Sequence, residues 1–401
     1  MSDPRSLDQK SEEKERSSGV EGEDVEGAPS TEEISFFSRR HIVQTLVIVL
    51  LLVVGIYLIF PSVVGLDDAM GELDDAKPGW IAVAVGFGFA MFGTYITLFR
   101  GVVGGDELPL TWKEAYQINM AALAASRIFS AGGAGGIALT YWALRKAGMD
   151  AGRSTQRMVV FLALQYIFYP TAIIVCGILL RTGVLSGKSS VGVTIIPAAI
   201  AGVVLLIGLL VALIPRDLEQ RTAGWAQGHR KTALARRLAR GPQTVADGLR
   251  AALDLIRHPT HGALALLGAA GFWATQIAIL WATFRAFGVS VPLGVLIMGF
   301  FLGMIANLIP FVPGGVGAVD AGLIGAFVLF GLPEATCFAA VLVYRLVAFW
   351  MPLPPGIVAF FQLRGTVHDW EERGRPIDRF AAPGLARGSL TGEDPFQYFR
   401  K

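Results

Sequence analysis

The sequence is short of the residue types on which soluble chemistry depends. Among 401 residues there are two cysteines and five histidines, and only 16% of the chain is charged. Cys176 and Cys337 both fall within apolar runs, which argues against a disulfide framework or a cysteine-rich metal site and leaves packing as their role. His258 and His261 stand three apart in HPTH with no evident third ligand, so an interfacial turn is favoured over a metal centre. Nucleotide loops are missing as well. GGAGG at 132–136 lacks the Lys and Ser or Thr that should follow, and GVGAVD at 315–320 has no strand before it. Neither a metal nor a cofactor is expected, and a formal net charge of +2 gives no reason to expect nucleic acid as a partner.

What the sequence has in abundance is apolar length. Hydrophobic residues make up 53% of the chain, and they gather into uninterrupted runs rather than amphipathic stripes. A helix rises about 1.5 Å per residue, so runs of about 18 residues or more read as bilayer spans. The expected fold is all-α and polytopic, with about six full transmembrane helices near 42–60, 80–99, 158–180, 191–214, 262–284 and 335–363. These form one membrane domain over 39–364 between a disordered acidic tail (1–38) and a polar carboxy-terminal tail (365–401). The tail lacks the early apolar core of a cleaved signal peptide.

Arg39 and Arg40 precede the first run, whereas Asp67, Asp68, Glu72, Asp74 and Asp75 follow it, which places the amino terminus in the cytoplasm. The Arg-rich stretch 215–260 is then a cytoplasmic loop, and the carboxy terminus is cytoplasmic too. Arg181 and Lys188 fall outside in this scheme and run mildly against it. Within the loop, Val245, Leu249, Ala252, Leu253 and Ile256 recur at helical spacing and predict an amphipathic helix at the inner leaflet.

Two apolar stretches are too broken for simple spans. Residues 114–144 are interrupted by Gly132, Gly133, Gly135 and Gly136, and residues 293–330 by Pro310, Pro313, Gly314, Gly315 and Gly317. Each fits a re-entrant hairpin, entering from opposite sides, and aligning the two Gly clusters gives a weak internal repeat of the inverted kind. Non-helical backbone at membrane depth is tolerated where it is packed in protein or lines a wet cavity, so the breaks point to a cavity or to close packing through small residues.

Three charges stand out because a charge in a span costs about 2.5–3.5 kcal/mol at its centre: Arg127, Asp320 and Arg345. Arg127 is suited either to a lipid phosphate or to carbonyls freed by the Gly break. Asp320 and Arg345 are suited to a buried ion pair that doubles as a gate. The amides of the Gly clusters, with Pro313 and Asn307 nearby, form a second set of candidate substrate contacts. Gln117, Asn119, Ser126, Ser130, Thr140, Gln165 and Tyr344 are candidate cavity-lining groups or interhelical bonds.

SRIFSAGGAGGIALTYWALRKAG and NLIPFVPGGVGAVDAGLIGAF followed by LVYRLVAFW resemble the lysylphosphatidylglycerol synthase transmembrane, or flippase-like, family. The resemblance implies two re-entrant elements in an all-helical fold and a role in moving lipids or lipid-linked groups between leaflets. It also implies partners among anionic or phosphate-bearing membrane lipids. Members often carry an acid and an Arg just after the first Gly cluster, where this chain has Gly136, Ile137, Ala138, Leu139 and Thr140; their usual Glu at the second cluster is Asp320 here. The 401 residues contain no soluble acyltransferase-like domain, so lysyl transfer is not expected. A multi-pass protein of a bacterial plasma membrane follows, with self-association left open. A membrane-embedded transferase on a lipid-linked donor and a membrane scaffold are the alternatives.

Overall fold

The computed structural model describes residues 76–104, 108–128, 134–187, 190–213, 232–308, 315 and 317–376, with backbone alone for 232–244, 259–261 and 308. The expected first span at 42–60, the amino-terminal tail, residues 377–401, and Ser130, Gly132, Gly133, Pro313 and Gly314 lie outside the described residues, whereas the first part of the expected polar carboxy-terminal tail continues the last helix as far as Arg373.

The described apolar runs fold as helices. They are α1 (Pro78–Val103), α2 (Trp112–Ile128), α3 (Ala134–Lys146), α4 (Ala151–Tyr166), α5 (Phe168–Arg181), α6 (Val191–Ala212) and α7 (Thr232–Arg257). The second half follows with α8 (Pro259–Ala286), α9 (Leu293–Met304) running into a 3-10 turn at Ile305–Leu308, α10 (Ala318–Leu329), α11 (Glu334–Arg345), a π-helical turn at Leu346–Trp350, and α12 (Leu353–Arg373). Five stretches of the described residues are long and apolar enough to cross a bilayer: Pro78–Val103, Ala151–Arg181, Val191–Ala212, Gly262–Ala286 and Glu334–Arg373. The protein is thus an all-helical, polytopic membrane protein.

Two of these stretches are broken by proline. Pro170 and Pro352 lack an N–H and clash with the preceding turn, and the chain kinks before each, at Ile167 and at Leu346–Trp350. In the second break Met351 N–H donates to Leu346 O at 3.0 Å, the five-residue spacing of a π turn.

The repeat inferred from the Gly clusters extends over the described helices on either side of α6 and α7, which have no counterpart among them. Gly132 to Gly314 is a shift of 182 residues, and the same shift carries Pro170 onto Pro352. It carries α1 to 260–285, α2 to 294–310, α3 to 316–328 and α4 to 333–348, each within about three residues of α8, α9 with its 3-10 turn, α10, and α11 with its π turn. The packing obeys the same rule, since α2 lies against α12 while α9 lies against α5. Each hairpin therefore leans on the broken helix of the other half.

Helices α1 and α8, equivalent under this shift, run antiparallel. Gly101 meets Ala265, Gly268 meets Leu98, Gly271 meets Thr94, and Trp80 packs edge-on to Trp281 with ring centroids 5.1 Å apart. An axis relating two antiparallel membrane-crossing helices must lie across them, in the membrane plane, so the repeat is inverted. The hydrophobic core divides accordingly. One cluster joins α2, α3 and α4 to α12, and the other joins α9, α10 and α11 to α5. Cys176 and Cys337 are both buried in the second of these clusters.

Helix α6 turns Ile196, Ile200, Val203, Val204, Ile207 and Leu210 outward and buries only small or polar positions such as Thr194 and Ala201. Helix α7 packs against α4 and α6, burying Ala246 and Ala252 while Val245 and Ile256 remain exposed. Arg250 is tied down there, donating to Ala212 O at 2.8 Å and pairing with Asp247.

Candidate functional site

Where the two halves meet, α1, α2, α3, α4, α5, α8, α9, α11 and the π turn enclose a cavity of about 240 Å³. It sits beside both Gly breaks: Gly136 and Gly315 line it, and so do Arg127, Asn307 and Arg345. Of the neutral polar residues singled out above, Asn119, Ser126, Thr140, Gln165 and Tyr344 also reach it. Gln117 does not; it accepts a hydrogen bond from Thr366 and ties α2 to α12. Gly135 lies in the first turn of α3, and Gly317 and Asp320 stand behind the wall at the start of α10.

Arg127 is anchored across the interface. Its guanidinium donates to the carbonyls of Phe349 and, at 3.1 Å, Ala348, and its centre lies 4.7 Å from the Phe349 ring. Proline explains the site of these acceptors. In α spacing the Ala348 carbonyl would be served by residue 352, which is a proline, and Phe349 is the next residue of the same π turn. Arg127 supplies a donor that the chain itself lacks, at the break of the last helix rather than at its own Gly cluster. A guanidinium has five N–H donors, so this anchoring leaves several for another acceptor.

Arg345 lies over the same ring, 4.5 Å from its centroid, so Phe349 contacts two guanidinium groups. Its Nε lies 2.8 Å from Asp320 Oδ1, joining α11 to α10. The N–H does not point along the line between them, so the contact counts as ionic rather than as a linear hydrogen bond. The other oxygen, Oδ2, accepts the N–H of Gly317 at 2.8 Å and caps α10, which begins from Gly317 at φ 81°. One carboxylate thus fixes both the start of a half-helix and a buried cation.

Aromatic rings make up much of the remaining wall. Tyr95 packs on Phe272 with centroids 4.8 Å apart, and Tyr169 on Trp273 at 5.1 Å. Trp273 Nε1 donates to Gln165 O at 2.9 Å, at the break before Pro170. Tyr344 donates to Gln276 Oε1 at 2.9 Å. Sequence reading missed Tyr95, Tyr166, Tyr169, Trp273, Gln276 and Phe349, because an aromatic in a span looks the same whether it faces lipid, core or cavity. Glutamine in an apolar run, as at Gln276, was the one signal that could have been used.

Among the described residues the lining contains two arginines and no acidic residue. Among the described residues no group of three or more His, Cys, Asp or Glu is placed to hold a metal ion. The close approach of α2 and α3 depends on Gly136, where a Cβ would fall 1.9 Å from Ser126 Oγ and 2.5 Å from Ala122 O. The hydroxyl can rotate away but the carbonyl cannot. Gly136→Ala is therefore expected to lower stability by about 1–3 kcal/mol, measured by thermal unfolding in detergent, and Ser126→Ala should recover only part of it.

The family profile described as the lysylphosphatidylglycerol synthase TM region matches residues 43–356. A UPF0104 membrane protein of Methanothermobacter thermautotrophicus is 30% identical over 173 residues, covering 41% of this chain and 51% of that protein. A second match, also to a UPF0104 membrane protein of that organism, is 33% identical over 89 residues, 22% of this chain and 25% of the relative. The chain thus spans about half the length or less of the curated relatives it matches. With the profile running from before α1 into the start of α12, through both hairpins and both proline breaks, the chain belongs to the lysylphosphatidylglycerol synthase transmembrane-region family.

Proposed function

We propose that this protein moves a phosphate-bearing lipid, or a lipid-linked phosphate, between the leaflets of the plasma membrane. Its two hairpins would act as re-entrant elements around a central headgroup site, and both termini would be cytoplasmic. The observation that carries the reading is the cavity at the junction of the inverted halves, lined by Arg127 and Arg345 and, among the described residues, by no carboxylate. Asp320 offsets Arg345 from behind the wall, and Arg127 bonds only backbone carbonyls among its described partners. A cation held without a carboxylate at membrane depth is costly, and an anionic headgroup lowers that cost. Charge-assisted bonds to a phosphate contribute about 1.5–3 kcal/mol each. Of the other candidate contacts, Gly136, Asn307 and Gly315 line the cavity and would present backbone amides and an amide side chain to the headgroup.

The inverted arrangement supports transport rather than storage, because two equivalent halves can present one central site to either leaflet by exchanging conformations. The test is dithionite quenching of head-labelled phosphatidylglycerol in proteoliposomes. Wild type is expected to expose the inner-leaflet pool, and Arg127→Ala to slow that exposure about tenfold or more, the equivalent of one charge-assisted bond. Folded wild-type protein that leaves the inner pool protected, for phosphatidylglycerol and for an isoprenyl phosphate alike, would sink the proposal.

A further inference from the structure

The two halves are not equal where their hairpins meet their broken helices. In the second half the seam between α10 and α11 is bridged by Asp320 and Arg345. Under the shift of 182 residues their counterparts in the first half are Ala138 and Ala163, so the seam between α3 and α4 has no ion pair at that place. Exposure follows this difference. Ile137 is 43% exposed whereas its counterpart Val319 is 0%, and Tyr166 is 39% exposed whereas its counterpart Ala348 is 3%. Ile137 and Tyr166 also line the central cavity, so the same two side chains are both cavity-lining and exposed.

We propose that the seam between α3 and α4, at Ile137 and Tyr166, is the lateral portal by which a phosphate headgroup reaches the cavity while its hydrocarbon anchor stays in the bilayer. The equivalent seam between α10 and α11 is held shut by Asp320 and Arg345. The inference rests on the lipid reading above and adds its route and its asymmetry. The physical reason is local. Burying an ion pair between two helices fixes their spacing, because separating the partners strands a charge in a medium of low polarity. Two alanines impose no such cost, and an apolar pair at the surface gives acyl chains a continuous path. A cavity of about 240 Å³ takes a phosphate and a small polar group but not the chains attached to them, which requires a side opening.

Photocrosslinking tests the portal. Benzoylphenylalanine is placed at Ile137, at Tyr166, or at Leu267, which is 69% exposed on α8 and lies outside the cavity lining. The full chain is held in phosphatidylcholine nanodiscs doped with phosphatidylglycerol bearing a fluorescent acyl chain. Crosslinking at 137 and 166 is expected to fall about tenfold with Arg127→Ala, and that at 267 to stay unchanged. Since Arg127→Ala also removes two backbone contacts, displacement by unlabelled lipid in the unaltered site gives an independent measure. Loss of signal at 137 and 166 to excess phosphatidylglycerol or to an isoprenyl phosphate supports the portal and tells the two sources apart. Displacement by neither overturns it. Arg127-dependent lipid movement in proteoliposomes without specific crosslinks at 137 and 166 overturns the portal alone, whereas absence of both overturns the transport reading as well. For the latch, Val319→Cys with Cys176 and Cys337 changed to Ala should resist N-ethylmaleimide and become reactive when Asp320→Ala and Arg345→Ala are added. Equal reactivity with and without the pair would rule the latch out.

Discussion

Arg345→Ala is expected to destabilise the protein by about 3–5 kcal/mol, and a second change at Asp320 to recover much of that loss. The single variant leaves a carboxylate that is 17% exposed facing an apolar interface with no cation. The second change removes the stranded charge. Asp320→Asn should recover more than Asp320→Ala, because an amide oxygen can still accept the Gly317 N–H that caps α10, and loss of such a cap costs about 0.5–2 kcal/mol. Thermal unfolding in detergent, followed by the fluorescence of the chain's eight tryptophans, measures all three. If Arg345→Ala alone and the double variants unfold at the same temperature, the two side chains are not energetically coupled and the gate assigned to them has no basis.

The second large effect is expected at the crossing of α1 and α8. A Cβ at Gly268 would fall 2.2 Å from Leu98 N and 2.5 Å from Leu98 Cα, and one at Gly101 would fall 2.3 Å from Ala265 N. These are backbone atoms, so no rotamer change relieves the clash and the helices must separate. Gly→Ala in a helix normally favours the folded state by about 0.8–1 kcal/mol. At Gly101 and Gly268 the sign should reverse, with losses of about 1–3 kcal/mol for alanine and more for valine. Gly86, on the same α1, has nothing within 4 Å of its would-be Cβ. Gly86→Ala should therefore be neutral or stabilising. Matched destabilisation at Gly86 and Gly268 would show that helix flexibility rather than the α1–α8 contact decides the effect. These two helices form the crossing around which the inverted halves are arranged.

Much of the fold was legible in the sequence because the bilayer enforces it. Water is absent at membrane depth, so each apolar run must satisfy its own backbone, and helix is the only local solution. That is why the expected spans at 80–99, 191–214 and 262–284 correspond to Pro78–Val103, Val191–Ala212 and Pro259–Ala286 with small shifts at their ends. The same constraint made the Gly and Pro interruptions conspicuous, and they mark the breaks beside the cavity. The charges were legible for a related reason: Arg127, Asp320 and Arg345 stood out because each is expensive where it lies.

Partners and sides were not legible. Arg127 bonds the carbonyls of Ala348 and Phe349, more than two hundred positions away, and nothing near residue 127 announces that the donor missing at Pro352 comes from there. The aromatic wall from Tyr95 to Trp273 is assembled from separate helices, and an aromatic in a span carries no mark of the face it will present. The difference between the two seams was half visible, since the missing acid after the first Gly cluster was apparent in the sequence, but its counterpart at Ala163 had no meaning until a partner was placed beside it. The sequence by itself determined that the chain crosses a membrane as helices, where those helices break, and which charges must be buried. Only the tertiary structure decided that the breaks enclose one cavity, which carbonyls hold Arg127, and which seam is pinned, because those depend on contacts between segments whose separation along the chain no local pattern records.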